Sequence, residues 1–449
     1  MSWAFGATDR QLWRIALPML ISNLSVPLLG LVDTAVVGHL AAPHYLAGVA
    51  LGTTATNFVF MLLLFLRMAT TGRTAQAKGA GDRLAILKAL AQPLALALLA
   101  GGLLSVLSPL IIPLLLQISG AEPQVQQQAA VYLQWRWWAA PAALANLAIN
   151  GWLLGLERLR GPVLLLILGN VCNIVLDLYL VVGLGHQVAG VAQATLLADY
   201  LMLLAGLLLV RRELARRGFR LWQLLPQVRG ELAPLLRLNR DLLIRSLLLQ
   251  GCFASLTVLG GRLGSDYLAA NALLLNLLTL SAFALDALAY GVEIKCGQAL
   301  GARRLDRLQA YWRAACRQGA MVALGLGMAY LLWGHHLLAL LTDQPALLAL
   351  AQSYLPWHWC LPLIGVWSYL WDGLFVAATD GRAMRNSLLL ATLGFALALL
   401  TLPWLGNHAL WLAMSLFLAL RALTLAWIWR YRHHAGRALL PDPALSRAN

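Results

Sequence analysis

Apolar runs of about 20 residues recur along the whole of this chain, each long enough for a helix to cross a hydrocarbon layer of about 30 Å. Inside lipid every backbone N–H and C=O must find a partner within the protein, so such runs are compatible only with helices or closed barrels. Runs of this length are helical. Twelve are expected, near 12–37, 45–71, 89–116, 129–155, 162–182, 189–210, 241–261, 267–293, 311–337, 353–378, 387–404 and 409–429. The chain is 61% hydrophobic and 11% charged, which excludes an ordinary soluble globular domain. No small-residue cleavage site follows an isolated apolar core, so the first run is expected to remain as a membrane helix.

The basic residues orient the spans. Arg73, Lys78, Arg158, Arg160, Arg303, Arg304, Arg382 and Arg385 fall in the loops that follow even-numbered spans, as do eight arginines between 211 and 240. The opposite loops hold Arg262 alone. Positive residues stay on the cytoplasmic side, so both termini and the long middle loop are expected there. This bias also accounts for the formal charge of +15 without nucleic acid, for which no motif is present. Cys172, Cys252, Cys296, Cys316 and Cys360 are scattered and lack CxxC spacing, so they read as small apolar fillers.

Residues 211–240 divide the chain as a basic, partly amphipathic linker on the cytoplasmic surface. The flanking halves resemble each other at an offset near 222. GHLAAPHYLA at 38–47 recurs as GRLGSDYLAA at 261–270, AQAKGAG at 75–81 as GQALGAR at 297–303, and Gly151 falls on Gly373. Six spans are an even number, so both halves would enter the membrane in the same direction. The expected architecture is an all-α integral membrane protein with twelve transmembrane helices in two six-helix lobes, related by a pseudo-twofold along the membrane normal. Its boundaries are 1–210, the linker 211–240, 241–430 and a cytoplasmic tail 431–449.

Polar groups within the spans carry the functional reading. Asp33 lies in LSVPLLGLVDTAVVGHL with no basic residue beside it. A charge at the bilayer centre costs roughly 2.5–3.5 kcal/mol on insertion scales. In the fifth span Asn173 and Asp177 are four residues apart, hence on one face, with Asn170 one turn earlier. The sixth span carries Thr195. Carboxylate, amide and hydroxyl oxygens suit a small cation, or a proton held and released. The alternative for Asn170 and Thr195 is interhelical hydrogen bonding. Symmetric packing does not demand the acids, because Asp33 falls on Ser255 and Asp177 on Leu399 at the repeat offset. Asp286 and Asp372 are candidate cavity or substrate residues, Glu293 is expected in a surface ion pair near Lys295, and Asp199 is expected to pair with an arginine such as Arg136. His335, His336 and His358 lie near tryptophans and read as interfacial. No P-loop or nucleophile elbow is present, so no enzymatic role is expected.

The chain resembles the multidrug and toxic compound extrusion (MATE) family along essentially its whole length. The resemblance rests on LPMLISNLSVPLLGLVDTAVVGHL at 17–40, TAQAKGAGD at 74–82, NIVLDLYLVVGLG at 173–185 and DGLFVAAT at 372–379. It implies two six-helix lobes that export drugs or other amphipathic toxicants against inward Na⁺ or H⁺. It also implies coupling residues at Asp33, Asn173, Asp177 and Thr195, and helix bending at Pro18, with Pro27 a second kink site nearer the acid. The family often has proline after the fifth-helix aspartate, where this chain has Leu178, and no acid falls within the seventh span beyond Asp241 at its first residue.

The expected function is therefore antiport of amphipathic, mostly cationic, organic compounds against H⁺, with Na⁺ the open alternative. Protonation of a carboxylate desolvated among apolar walls would let the first helix repack. The expected setting is a bacterial-type inner membrane, with the lipid bilayer and a small-molecule substrate as partners, no nucleic acid, no cofactor, no metal other than Na⁺ at the coupling residues, and a monomeric chain. Two other readings are a lipid-linked saccharide flippase, for which arginines such as Arg136 and Arg245 would face the cavity, and a scaffold or sensor without transport.

Overall fold

The structure, a computed structural model, describes residues 6–38, 43–229 and 233–434; the side chains of 24–38, 43, 433 and 434 also lie outside that description. Helices account for almost all of it. In chain order they are α1 (Ala7–Gly38), α2 (Pro43–Leu62), α3 (Phe65–Ala80), α4 (Arg83–Ser119), α5 (Pro123–Trp138), α6 (Ala140–Gly155), α7 (Arg160–Asp177) and α8 (Gln187–Ala215). There follow α9 (Leu224–Val228), α10 (Ala233–Leu263), α11 (Ser265–Gly301), α12 (Leu305–Ala339), α13 (Pro345–Ala377), α14 (Gly381–Leu399), α15 (Leu402–Leu405) and α16 (Asn407–His434). Among the described residues nine helical stretches are long and apolar enough to cross a membrane. The other expected spans fall on α1, on α5 with α6, and on α14 with α15. Of these, the α5–α6 pair is interrupted at Ala139, and α14 opens on Arg382, Arg385 and Asn386.

Two units emerge, one of Ile21–Leu236 and one of Met1–Leu20 with Arg237–Asn449. In the first, α3 and α4 pack on α6, α2 on α5, and α7 on α8. In the second, α11 and α12 pack on α13, and α14 and α13 on α16. The described start of α1, up to Leu20, clusters with the unit that holds α11 to α16. Packing and hydrogen bonding explain this. Leu12, Ile15, Ala16 and Met19 are buried, and Leu12 touches the helix surface at Gly291. Asp9 accepts from Arg317 and, at 2.6 Å, from Gln318, while the Tyr311 hydroxyl donates to Gln11 at 2.6 Å.

Each unit repeats the same local devices at the offset found in the sequence. Gly151 of α6 lies so close to α3 that a Cβ would stand 2.6 Å from the Arg67 carbonyl; Gly373 of α13 meets the Ala289 carbonyl of α11 at 2.7 Å. The stretch after α3 turns at Gly81, φ +70°, with the Asp82 N–H on the Ala77 carbonyl; the stretch after α11 turns at Arg303, φ +54°, with the Arg304 N–H on the Ala299 carbonyl. Glu157 and Thr379, at φ +60° and +55°, make the corresponding turns after α6 and α13. Asp82 then caps α4 by accepting from the Ala85 N–H at 2.9 Å. Glycine tolerates the left-handed turn without strain and other residues do not. A Cβ at Gly81 would meet open space, so Gly81→Ala should destabilise by about 1 kcal/mol through the backbone alone. Arg303→Gly should stabilise by a similar amount, and chemical unfolding of the two variants in detergent measures both.

Candidate functional site

The site is built on α7. Its polar residues Asn173 and Asp177 stand one helical turn apart, and the Asn173 side-chain amide donates to Asp177 Oδ2 at 2.8 Å. Both are buried, Asp177 completely at 0% exposure. A carboxylate so placed has lost its hydration and is held by a neutral amide, which suits a group that exchanges a proton or coordinates a small cation.

Immediately after Asp177 the chain widens into a π-helical turn, Leu178–Gly183, with the Leu184 N–H reaching five residues back to the Tyr179 carbonyl at 3.0 Å. Leucine at 178 allows the helix to continue where proline would have stopped it. The wider turn directs Leu180 and Val181 into the core, where Val181 packs with Val188 and Val191 of α8. Such π insertions are frequent at functional sites.

Other expected site residues are distributed differently. Thr195, half-buried on α8, turns its hydroxyl to the Val191 carbonyl of its own helix at 3.1 Å. Asn170 is half-buried on α7, and Pro18 is half-buried on α1. Asp33 and Pro27 have side chains outside the described residues. Asp286 is half-buried on α11, in the other unit.

Asp372 is buried on α13, where its Oδ2 accepts from both Arg245 of α10 and Arg421 of α16. Arg421 is itself buried, with its guanidinium 5.6 Å from the Phe417 ring. Arg421 was legible as the lone cation in the last apolar span, a residue that would need a carboxylate there. Asp199 pairs with Arg136 at 2.8 Å, as its position in the spans suggested, and the Asn146 amide donates to the Asp199 backbone carbonyl at 2.9 Å. At the repeat offset Asp199 falls on Arg421 and Asn150 on Asp372, so equivalent positions carry different charges in the two units.

Two surface expectations are corrected. Glu293 and Lys295 are buried rather than at the surface, because α11 extends to Gly301 and packs there against α12 and α13. His358 is buried rather than interfacial, edge-on to Trp411 at 4.7 Å between ring centroids and near Tyr330 at 6.4 Å. The aromatic neighbours it gains across the unit are remote in sequence, which is why its own flanking tryptophans pointed elsewhere.

A multi-pass helical membrane chain with a buried amide–carboxylate pair, built from two matching halves, belongs to a definite class. The MatE family model matches twice, over residues 18–179 and 242–403, and the chain belongs to this family of multidrug and toxic compound transporters. It is 57% identical over 427 residues to the DNA damage-inducible protein F of Escherichia coli, covering 95% of this chain and 93% of that one. To the multidrug resistance protein PmpM of Pseudomonas aeruginosa it is 28% identical over 357 residues, 77% of this chain and 73% of the relative. Its fold is that of a MATE protein crystallised in a bent conformation, with a TM-score of 0.84 at 21% identity over 96% of each chain. An outward-facing multidrug resistance MATE family transporter gives 0.83 at 22% identity, over 97% of this chain and 98% of that one.

Proposed function

We propose that this protein is a secondary active efflux antiporter that exports amphipathic, mostly cationic, organic compounds in exchange for H⁺, with Na⁺ the alternative coupling ion. The observation that carries the reading is the buried Asn173–Asp177 pair at the entry to the π turn. A fully buried carboxylate changes its environment least when neutral and most when ionised, so its ionisation is a natural trigger for helix movement. Asp33, with Thr195, completes the proposed coupling set, and Pro18 and Pro27 provide bending points in α1.

In this reading twelve membrane helices form two six-helix lobes related by a pseudo-twofold along the membrane normal, with both termini on the cytoplasmic side of a bacterial-type inner membrane. The lobes alternate access to a cavity that takes the substrate, and the chain works as a monomer. The pairing of Arg245 and Arg421 with Asp372 weighs against a diphosphate-binding flippase, because both guanidinium groups already serve a carboxylate.

The test is flux in proteoliposomes with a pH gradient and a Na⁺ gradient imposed separately. Substrate should move against the pH gradient, and Asp33→Asn should abolish the movement while inserting normally. Equal substrate flux without either gradient, or full coupling retained in Asp33→Asn, would overturn the assignment.

A further inference from the structure

The segment that follows α8, within the unit Ile21–Leu236, is shaped as a binding surface. α8 ends at Ala215, and Gly218, at φ +81°, reverses the chain: the Gly218 N–H donates to the Ala215 carbonyl and the Phe219 N–H to the Leu214 carbonyl, each at 3.0 Å. The Gln223 side chain then accepts from the Arg220 N–H at 2.7 Å, starting a short helical turn that runs into α9. Leu224 is buried in a cluster with Ile86, Val210 and Leu214, and Phe219, Leu221 and Val228 pack against it. This linker is docked on its unit by apolar contacts.

Its outer side has a composition opposite to what solvent favours. Trp222 is 59% exposed and Leu225 74% exposed, although each is large and apolar. The chain leading to them is rich in arginine. Glu213 accepts from Arg158 and Arg217 and, at 3.2 Å, from Arg216, so one carboxylate faces three guanidinium groups. Arg211, Arg212 and Arg220 are exposed, and among the described residues none of them pairs with a carboxylate. The Arg220 guanidinium lies 4.9 Å from the Trp222 ring, which brings cation and aromatic surface together.

An exposed indole and leucine, with Arg220 beside the indole and with exposed Arg211 and Arg212 a few residues earlier where an apolar span ends, match an interface of acyl chain and negative headgroup. The geometry points to an anionic phospholipid site: Trp222 and Leu225 enter the acyl boundary, and Arg211, Arg212 and Arg220 hold the headgroup phosphate. Charge complementarity selects the anionic lipid. The two protruding apolar side chains distinguish a lipid from free phosphate. Occupancy would fix the linker to the membrane surface and is independent of the transported substrate.

The full-length protein in detergent can be titrated with phosphatidylglycerol, phosphatidylcholine and inorganic phosphate, with binding followed by native mass spectrometry and by the shift of the unfolding temperature. Phosphatidylglycerol should bind in preference to phosphatidylcholine, and the preference should fade at about 1 M salt, where the screening length falls to about 3 Å. Each basic residue near such a surface contributes about a fivefold gain in affinity, so Arg211→Gln/Arg212→Gln/Arg220→Gln should weaken phosphatidylglycerol binding roughly a hundredfold and leave phosphatidylcholine unchanged. Trp222→Ser/Leu225→Ser should weaken both lipids. A salt-insensitive preference in the unaltered protein, undiminished binding in the triple variant, or an equal response to inorganic phosphate would each overturn the proposal.

Discussion

Asp177→Asn should leave the protein folded and uncouple it. The replacement keeps the shape of the side chain and an oxygen able to accept from Asn173, whose amide now donates at 2.8 Å, so the buried contact survives. It removes a carboxylate that is completely buried, and with it the only change in charge that a proton or cation could produce at that position. Coupling free energies between an ion and a second ligand are typically about 1–3 kcal/mol, a factor of roughly 5 to 150 in affinity. That factor should collapse to near unity in the variant. The measurement is substrate affinity at acidic and alkaline pH, and with and without Na⁺, on the purified protein, together with gradient-driven flux. Asp177→Asn is expected to hold substrate equally in all these conditions and to lose gradient-driven export. A variant whose substrate affinity still responds to pH or Na⁺ as the parent does would place the coupling group elsewhere.

Asp372→Asn should have the opposite character: a large loss of stability, without any dependence on substrate. Asp372 accepts from two buried arginines that come from α10 and α16. Removing one partner of a buried ion pair leaves charge without compensation and typically destabilises by about 3–5 kcal/mol. Two guanidinium groups lose their shared counter-charge here. Unfolding in detergent by heat or denaturant should show the loss directly. Asp372→Leu combined with Arg245→Met and Arg421→Met should recover much of it, because an apolar replacement of the whole cluster leaves no unpaired charge. If Asp372→Asn keeps parental stability and instead weakens substrate binding, the cluster belongs to the substrate cavity rather than to the packing of its unit.

These two carboxylates were equally conspicuous in sequence, since both interrupt apolar spans. Their difference lies in what faces them. Asn173 could be assigned to Asp177 from spacing alone, because a separation of four residues on a helix fixes a neighbour. Arg245 and Arg421 are 127 and 49 residues from Asp372, and no periodicity relates them. Asp199 and Arg136 were a reasonable pair because few other partners lay within spans of the same half. The burial of His358 was obscured by its own tryptophan neighbours, since its packing partner Trp411 comes from α16. The π turn after Asp177 was not legible either: the sequence places Leu178 where the family often has proline, and no residue there signals that the helix widens.

Taken alone, the sequence determined the membrane class, the spacing of the apolar runs, the duplicated halves and the isolated acids. These properties are set by local hydropathy, by the fixed thickness of a bilayer and by the recurrence of residues at one offset. The tertiary structure decided that α1 begins in one unit and continues into the other, that Asp372 is neutralised by arginines, and that the linker presents Trp222 and Leu225 outward. Each of these depends on which helices meet, and burial and charge compensation are properties of that meeting rather than of any one segment.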